Sequence, residues 1–290
     1  QVAVDKEEAF LKTFSHNFKG SQTKNLDLGD SNILKDIPKS DIIIAGPPCQ
    51  GFSLTGPRNI DDPRNKLYLS VFKTLKLTTP KAFVVENVRG LKTMWEGNVF
   101  KEIIKKFESA GYIVTESLLN SADYGVPQIR HRVFIVGIKK ELNKKFEFPK
   151  PEFDKDDYIT CGEAIGNLPS LENGELKSND YNEKPTTNYQ RYVMDSNKTY
   201  NHEATLHKQF VKDTIALVPE GGNYKDLPKG VGDSRKFNEA WTRYHSKKPS
   251  RTIDTGHRNH FHYKWNRVPT IRENARLQSF KDSFEFLGTK

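Results

Sequence analysis

The first half of the chain alternates short apolar runs with stretches of helical period. Val2-Ala3-Val4 closes on Asp5 and leads into a helical stretch reaching about Phe18. Ile42–Ala45, Ala82–Val85, Tyr112–Leu119 and Val133–Ile138 read as buried strands. Between them, Lys66–Leu77 repeats Leu67, Tyr68, Val71, Phe72 and Leu75 at helical spacing. Val99–Ala110 sets Phe100, Ile103, Ile104 and Phe107 on one face, with Gly111 as its stop signal. Strand–helix alternation of this kind predicts an α/β fold, with a mostly parallel sheet and helices on both faces.

The pattern changes after Lys139-Lys140. Lys, Asn, Asp, Gly and Pro become frequent and apolar runs become short, which predicts a second, irregular domain over residues 141–250. A last segment, 267–290, turns helical again at Thr270–Phe280, where Ile271, Ala275, Leu277 and Phe280 interleave with Arg272, Glu273 and Arg276. Residues 1–140 then form the first domain.

Composition narrows the setting. With 35% hydrophobic and 29% charged residues, the 290-residue chain has the balance of a globular protein rather than a disordered one. No apolar run approaches the roughly 20 residues of a membrane span. Two cysteines, Cys49 and Cys161, argue against a disulfide framework and for a reducing cytoplasm. A net charge of +9 favours a polyanionic partner such as nucleic acid. Histidines occur without a Cys-x-x-Cys or a spaced carboxylate set, so no metal site is expected.

Three stretches carry candidate chemistry. Gly46-Pro47-Pro48-Cys49-Gln50-Gly51-Phe52-Ser53 puts a thiol just past the carboxyl end of a strand, stiffened by two prolines. Cys49 there is either a packed structural thiol or a nucleophile. Glu86, following Ala82–Val85, reads as a turn cap or as a carboxyl group that holds or delivers a proton at the mouth of the sheet. In Gln128-Ile129-Arg130-His131-Arg132, extended alternation puts Gln128, Arg130 and Arg132 on one face, suited to a phosphate or carbonyl oxygen. Cys161 reads as a helix-packing residue.

In this order, the three stretches resemble the cytosine-C5 DNA methyltransferases. Gly46-Pro47-Pro48-Cys49-Gln50, Glu86-Asn87-Val88 and Gln128-x-Arg130-x-Arg132 carry the resemblance. Gly29-Asp30 and Arg267–Phe280 match two further family segments. Five ordered motifs make the resemblance specific. It implies a Rossmann-like S-adenosylmethionine-dependent methyltransferase domain with a smaller, irregular target-recognition domain over residues 141–266, and a bacterial enzyme of the restriction–modification kind. Double-stranded DNA would be the substrate, with a cognate restriction endonuclease in the same system but no stable complex.

Residue by residue, the resemblance makes Cys49 the thiolate that adds to cytosine C6. Glu86 would act at N3 and Arg132 at O2, while Arg130 fixes the loop and the charge near the thiolate. Pro48 would offer its carbonyl to the exocyclic amine, beside the cofactor, and Asn87 would tie the strand-end loops together. Asp5, Asp30 and Leu67 would hold S-adenosylmethionine by ribose, adenine amine and adenine face. Gln50, Ser53, Arg58 and Gln128 would meet the substrate. The target base lies in a duplex, so it must be flipped out, and the loop after Cys49 would close over it. Arg251–Lys264, with Arg258, Asn259, His260 and His262 beside Phe261 and Tyr263, would read bases.

The chain departs from the family pattern in three places. The initial Phe-x-Gly-x-Gly-Gly turn and the terminal Gly-Asn segment are not present, and Lys6 stands where an aromatic or apolar group against adenine is usual. A catalytic domain truncated at its N-terminus, binding S-adenosylmethionine poorly by itself, is the expectation, whether from a partial sequence or a split enzyme. An RNA cytosine methyltransferase of the same fold and a non-catalytic DNA-recognition subunit are the alternatives.

Overall fold

The computed structural model describes residues 1–48, 67–172, 177–181, 183–231, 240–254 and 259–288. The chain divides into two compact units. One comprises Gln1–Asn120 with His131–Lys150, the other Ser121–Arg130 with Pro151–Lys290.

The first unit opens with β1 (Val2–Asp5), α1 (Glu8–Asn17) and β2 (Gln22–Asn25), a parallel β-α-β step in which Asp5 pairs with Asn25. The polar strand Gln-Thr-Lys-Asn has no apolar signal and is absent from the sequence reading. Four further strands form one sheet: β3 (Ile42–Ala45), β4 (Ala82–Val88), β5 (Tyr112–Asn120) and β6 (His131–Lys139), in the order β3-β4-β6-β5. α2 (Leu67–Thr78), α3 (Gly90–Thr93) and α4 (Asn98–Ser109) lie between them in sequence.

The sheet is mostly parallel, as expected, with one reversed strand: β3, β4 and β5 run in one direction, and β6 runs antiparallel to both β4 and β5. A parallel return needs a crossover of a dozen or more residues. Only residues 121–130 separate β5 from β6, and they hold one short 3-10 turn at Ser121–Tyr124. The chain therefore reverses.

The core lies on one sheet face. Phe83, Val85, Tyr112, Val133 and Ile135 pack there against Val71 and Leu75 of α2, Leu91 of α3, and Phe100, Ile103 and Phe107 of α4. The helices of this core thus cover that face. On the other face, Ile42 and Ile44 of the edge strand β3 are 60% and 80% exposed. Gly111 ends α4 at φ 96°, a left-handed conformation that glycine adopts without strain. Gly137 of β6 faces Phe83 so closely that an added β-carbon would stand 2.1 Å from its ring.

The second unit is built from short elements. They are α5 (Cys161–Ile165), α6 (Asn188–Val193), α7 (Gln209–Ala216), β7 (Thr242–Arg243), β8 (His260–Phe261) and α8 (Ile271–Arg276). β7 and β8 form a two-residue parallel pair. Cys161, Ala164, Ile165, Val193, Tyr244 and Leu277 share one apolar cluster. Cys161 is fully buried and burial pushes its thiol up, which makes it an unreactive packing group.

In α8, Arg272, Glu273 and Arg276, which interleave with its apolar residues, are all buried. Arg267 clamps Glu273 through two bonds of 2.8 and 2.7 Å. Arg276 does the same to Asp282 at 2.9 and 2.6 Å. Arg272 donates to the backbone carbonyls of Tyr200, Lys281 and Phe284. Glu273 also closes a capping box with Thr270 at the start of the helix.

Two buried histidines complete this network. His202 reaches Thr270 Oγ1 at 3.0 Å and the Pro169 carbonyl at 2.8 Å. His262 accepts from the Lys264 and Trp265 amides and turns Nε2 toward Glu273 at 3.7 Å. Burial pushes His262 down to about 4, against the pull of Glu273. Burial also lowers His202. Burial alone would raise the Glu273 carboxyl, but the Arg267 guanidinium holds it well below the usual carboxylate range.

Two predictions follow from these contacts. Gly137→Ala forces the Phe83 ring out of its place and should lower stability by about 1–3 kcal/mol, read from urea unfolding. The second concerns acid. His262 stays neutral when folded, so the unfolded state takes up the proton first, and stability should fall as pH drops from about 6.5 toward about 4. Glu273 is depressed instead. Its stabilisation is full above the unfolded carboxylate value and declines as pH falls below it. Urea midpoints across this range should show the decline, with a shallower slope between pH 6.5 and 4 in His262→Asn. An unchanged slope assigns the effect elsewhere.

Candidate active site

The carboxyl ends of β3 and β4 and the start of β6 converge on a small polar cluster. β3 stops at Ala45, which pairs with Val85. β4 continues for three more residues and pairs there only with β6, so Glu86 lies inside the strand but past the end of its neighbour. Glu86 is opposite Phe134 and Val88 is opposite Arg132. Strand side chains alternate faces, so Glu86 and Arg132 share one face as a diagonal pair. Arg132 Nε reaches Glu86 Oε1 at 3.0 Å, and its NH1 donates to the His131 carbonyl at 2.9 Å.

Arg132 is 17% exposed at its side chain and Glu86 37%. Burial lowers the guanidinium and Glu86 partly offsets this, while an arginine keeps its charge across the physiological range. The pair therefore presents a held carboxylate and a cation side by side, both reachable from solvent. That suits a ring with adjacent hydrogen-bonding positions.

Asn87 points to the opposite, buried face and donates to the Pro47 carbonyl at 3.0 Å. This bond ties the Gly46–Pro48 turn to β4. A β-carbon built at Gly46 would lie 4.0 Å from Glu86 Oε2, so the turn passes close to the carboxylate. Pro48, exposed, is the last described residue before position 49. Cys49, Gln50, Ser53, Arg58 and Arg258 lie outside the described residues.

A second group sits at the ends of β1 and α2. Asp5 ends β1 half-buried and takes the Glu7 amide on Oδ1 at 2.8 Å. Asp30 is exposed after the Asp27–Gly29 turn, in which Asp27 Oδ1 accepts from Gly29 at 2.8 Å. A β-carbon at Gly29 would lie 3.8 Å from Leu67 Cδ2, which brings this turn beside the first residue of α2.

Gln128, Arg130 and Arg132 do not share one strand face, as alternation suggests. β6 begins at His131, and Gln128 and Arg130 belong to the second unit. Gln128 is fully buried there, donating to the Leu277 carbonyl at 3.2 Å and accepting from the Ile253 amide at 3.3 Å. Arg130 donates to the Ile253 carbonyl at 3.3 Å. The expected base-reading stretch is likewise partly interior: His260, Phe261 and His262 are buried. Their apolar neighbours Tyr244, Tyr263 and Trp265 stack on these histidines. The sequence reading missed Ser250, Thr252 and Ile253 as the partners of the 127–130 segment; they lie more than 100 residues away. Among the described residues no cluster of metal-ligand type occurs, and no helix is long and apolar enough to cross a membrane.

The sheet with its flanking helices has the fold of the S-adenosylmethionine-dependent methyltransferases. It superposes on a candidate DNA modification methyltransferase encoded in an E. coli prophage, with a TM-score of 0.76, 25% identity, and coverage of 99% of this chain and 83% of that one. The S. pombe Dnmt2 methyltransferase shares the fold, at a TM-score of 0.53 and 16% identity, with 100% and 82% covered. Residues 1–290 match the model of the C-5 cytosine-specific DNA methylases, and the chain belongs to that family. It is 38% identical to the Type II methyltransferase M1.HphI of Haemophilus parahaemolyticus, over 100% of this chain and 73% of that protein. It is 35% identical to the Type II methyltransferase M.DdeI of Desulfomicrobium norvegicum, over 100% and 75%. The protein is a DNA cytosine-C5 methyltransferase.

Proposed function

We propose that the Glu86–Arg132 pair, beside the turn that Asn87 holds, is the base-handling centre of a covalent methyl transfer to cytosine in duplex DNA. The 3.0 Å contact between the two side chains at the end of β4 carries this reading. Cytosine C5 is a weak nucleophile. The Cys49 thiolate adds to C6, forming a C–S bond and shifting the ring electrons toward C5. Glu86, carrying a proton, donates it in a hydrogen bond to N3, where charge gathers, and Arg132 donates to O2. Pro48 offers its carbonyl to the exocyclic amine. After transfer the C5 proton leaves to a base, the electron pair reforms the C5–C6 double bond, and the C–S bond breaks to return the thiolate.

S-adenosylmethionine, when bound, supplies the electrophilic methyl group. The side chains present suit its nucleoside part: the Asp5 carboxylate at a strand end accepts from ribose hydroxyls. Asp30 accepts from the adenine amine, and Leu67 beside Gly29 offers apolar surface. Lys6 gives no flat face to the ring. Gln50, Ser53 and Arg58 meet the DNA backbone around the flipped base, and Arg258 reads the site. The net charge of +9 supports a DNA partner. The relatives' Type II character supports a role in restriction–modification, in the bacterial cytoplasm, with an endonuclease acting on the same site but not stably bound.

Duplex DNA containing 5-fluorocytosine tests this, because the fluorine cannot leave as a proton does and the adduct persists. With S-adenosylmethionine, the wild-type protein should yield a covalent protein–DNA adduct and Cys49→Ser none. Arg132→Ala and Glu86→Gln should each lower kcat by roughly 10²–10⁴. Labelling of tRNA in place of DNA, or binding without an adduct, would replace the reading with an RNA enzyme or a recognition subunit.

A further inference from the structure

The end of β2 is bound to the end of β1 by more than the strand ladder. Asn25, the last residue of β2, stands level with Asp5, the last residue of β1. Its side-chain amide nitrogen donates to the Asp5 carbonyl at 3.2 Å and to the Lys6 carbonyl at 2.8 Å. The Leu26 amide also donates to the Asp5 carbonyl, at 3.0 Å. Only Lys6 and Glu7 lie between β1 and α1, so these bonds fall on the tight turn between strand and helix. On the inner side of that turn the Glu7 amide donates to Asp5 Oδ1 at 2.8 Å.

An amide nitrogen has two hydrogens, and Asn25 places them on two consecutive carbonyls. The second of these matters most. The Lys6 carbonyl and the Glu7 N–H are the two ends of one planar peptide unit. Asn25 holds the oxygen end, and Asp5 Oδ1 takes the hydrogen end. Turning that plane would break both bonds together. Asn25 thereby fixes the donor that orients the Asp5 carboxylate, while the bonds to the Asp5 carbonyl fix the backbone from which the side chain springs. With Oδ1 engaged inside the turn, Oδ2 is the oxygen presented to a ligand.

We infer that Asn25 is a positioning residue for S-adenosylmethionine. It acts through the Lys6–Glu7 peptide on the Asp5 carboxylate and does not itself touch the cofactor. This rests on the reading of Asp5 as the acceptor of the ribose hydroxyls. It gives a task to the polar strand β2, whose last residue supplies the clamp.

The test is equilibrium dialysis of the chain against labelled S-adenosylmethionine and against its 2′-deoxyribose analogue, which lacks one hydroxyl for Asp5. Asn25 is exposed, so Asn25→Leu removes the donor without opening a core. Expected is a rise in Kd for S-adenosylmethionine of about 3–10-fold, the scale of one neutral hydrogen bond, with the wild-type preference for the ribose form falling toward one. In an Asp5→Ala background the same change should add no further loss, because Asn25 acts through Asp5. An unchanged Kd, a raised Kd with the ribose preference intact, or additive losses overturn the inference. Should Asn25→Leu fail to fold, Asn25→Ser, too short to span both carbonyls, carries the same expectation, and an unaltered preference refutes. A wild-type chain that binds the two forms equally, or neither, would instead sink the underlying reading of Asp5.

Discussion

Register between β4 and β6 is the constraint on which the active site depends. Side chains alternate faces along a strand, so a slip of one residue would send Arg132 to the face opposite Glu86. The pairing Val88↔Arg132 and Glu86↔Phe134 keeps both on one face and within bonding reach. Packing holds that register. Phe83 lies over Gly137, where any other residue would collide with its ring. Seven residues of contact between β4 and β6 thus transmit a core packing requirement to the position of two polar side chains.

The second unit meets a different problem. Its elements are too short to satisfy their backbone by helix and ladder bonds alone, yet much of that backbone is interior. Buried arginines take over part of the work, Arg272 bonding three carbonyls in two irregular segments. Burying charge is costly unless each ion is matched. Arg267 is matched by Glu273 and Arg276 by Asp282, each through two bonds. The histidines near Glu273 stay neutral, which avoids adding unmatched charge to the same volume. These matched charges stand beside two apolar clusters, one around Cys161 and Leu277 and one around Ile215 and Val268.

Much of the first unit is legible from the chain. Strands at Ile42, Ala82, Tyr112 and Val133, helices from Leu67 and near Val99, and the stop at Gly111 all follow from local period and local chemistry. Strand direction does not. The reversal of β6 becomes visible only when the ten residues before it are recognised as too few and too irregular for a crossover. Glu86 and Arg132 are each conspicuous, but their contact is a tertiary fact separated by 46 positions. In α8, Thr270-x-x-Glu273 is a readable capping signal, while the burial of Arg272 and Arg276 is not, because their partners come from distant loops. His260 and His262 looked like surface readers for the same reason: polar type stood in for exposure, and stacking against Tyr244 and Tyr263 decided otherwise.

Gln128-x-Arg130-x-Arg132 condenses the difference between pattern and structure. As a pattern it is an extended segment with three polar residues on one face. In the fold it is a junction, with Gln128 and Arg130 bound to the backbone of one unit and Arg132 bound to a carboxylate in the other. Equal spacing in sequence therefore conceals unequal roles.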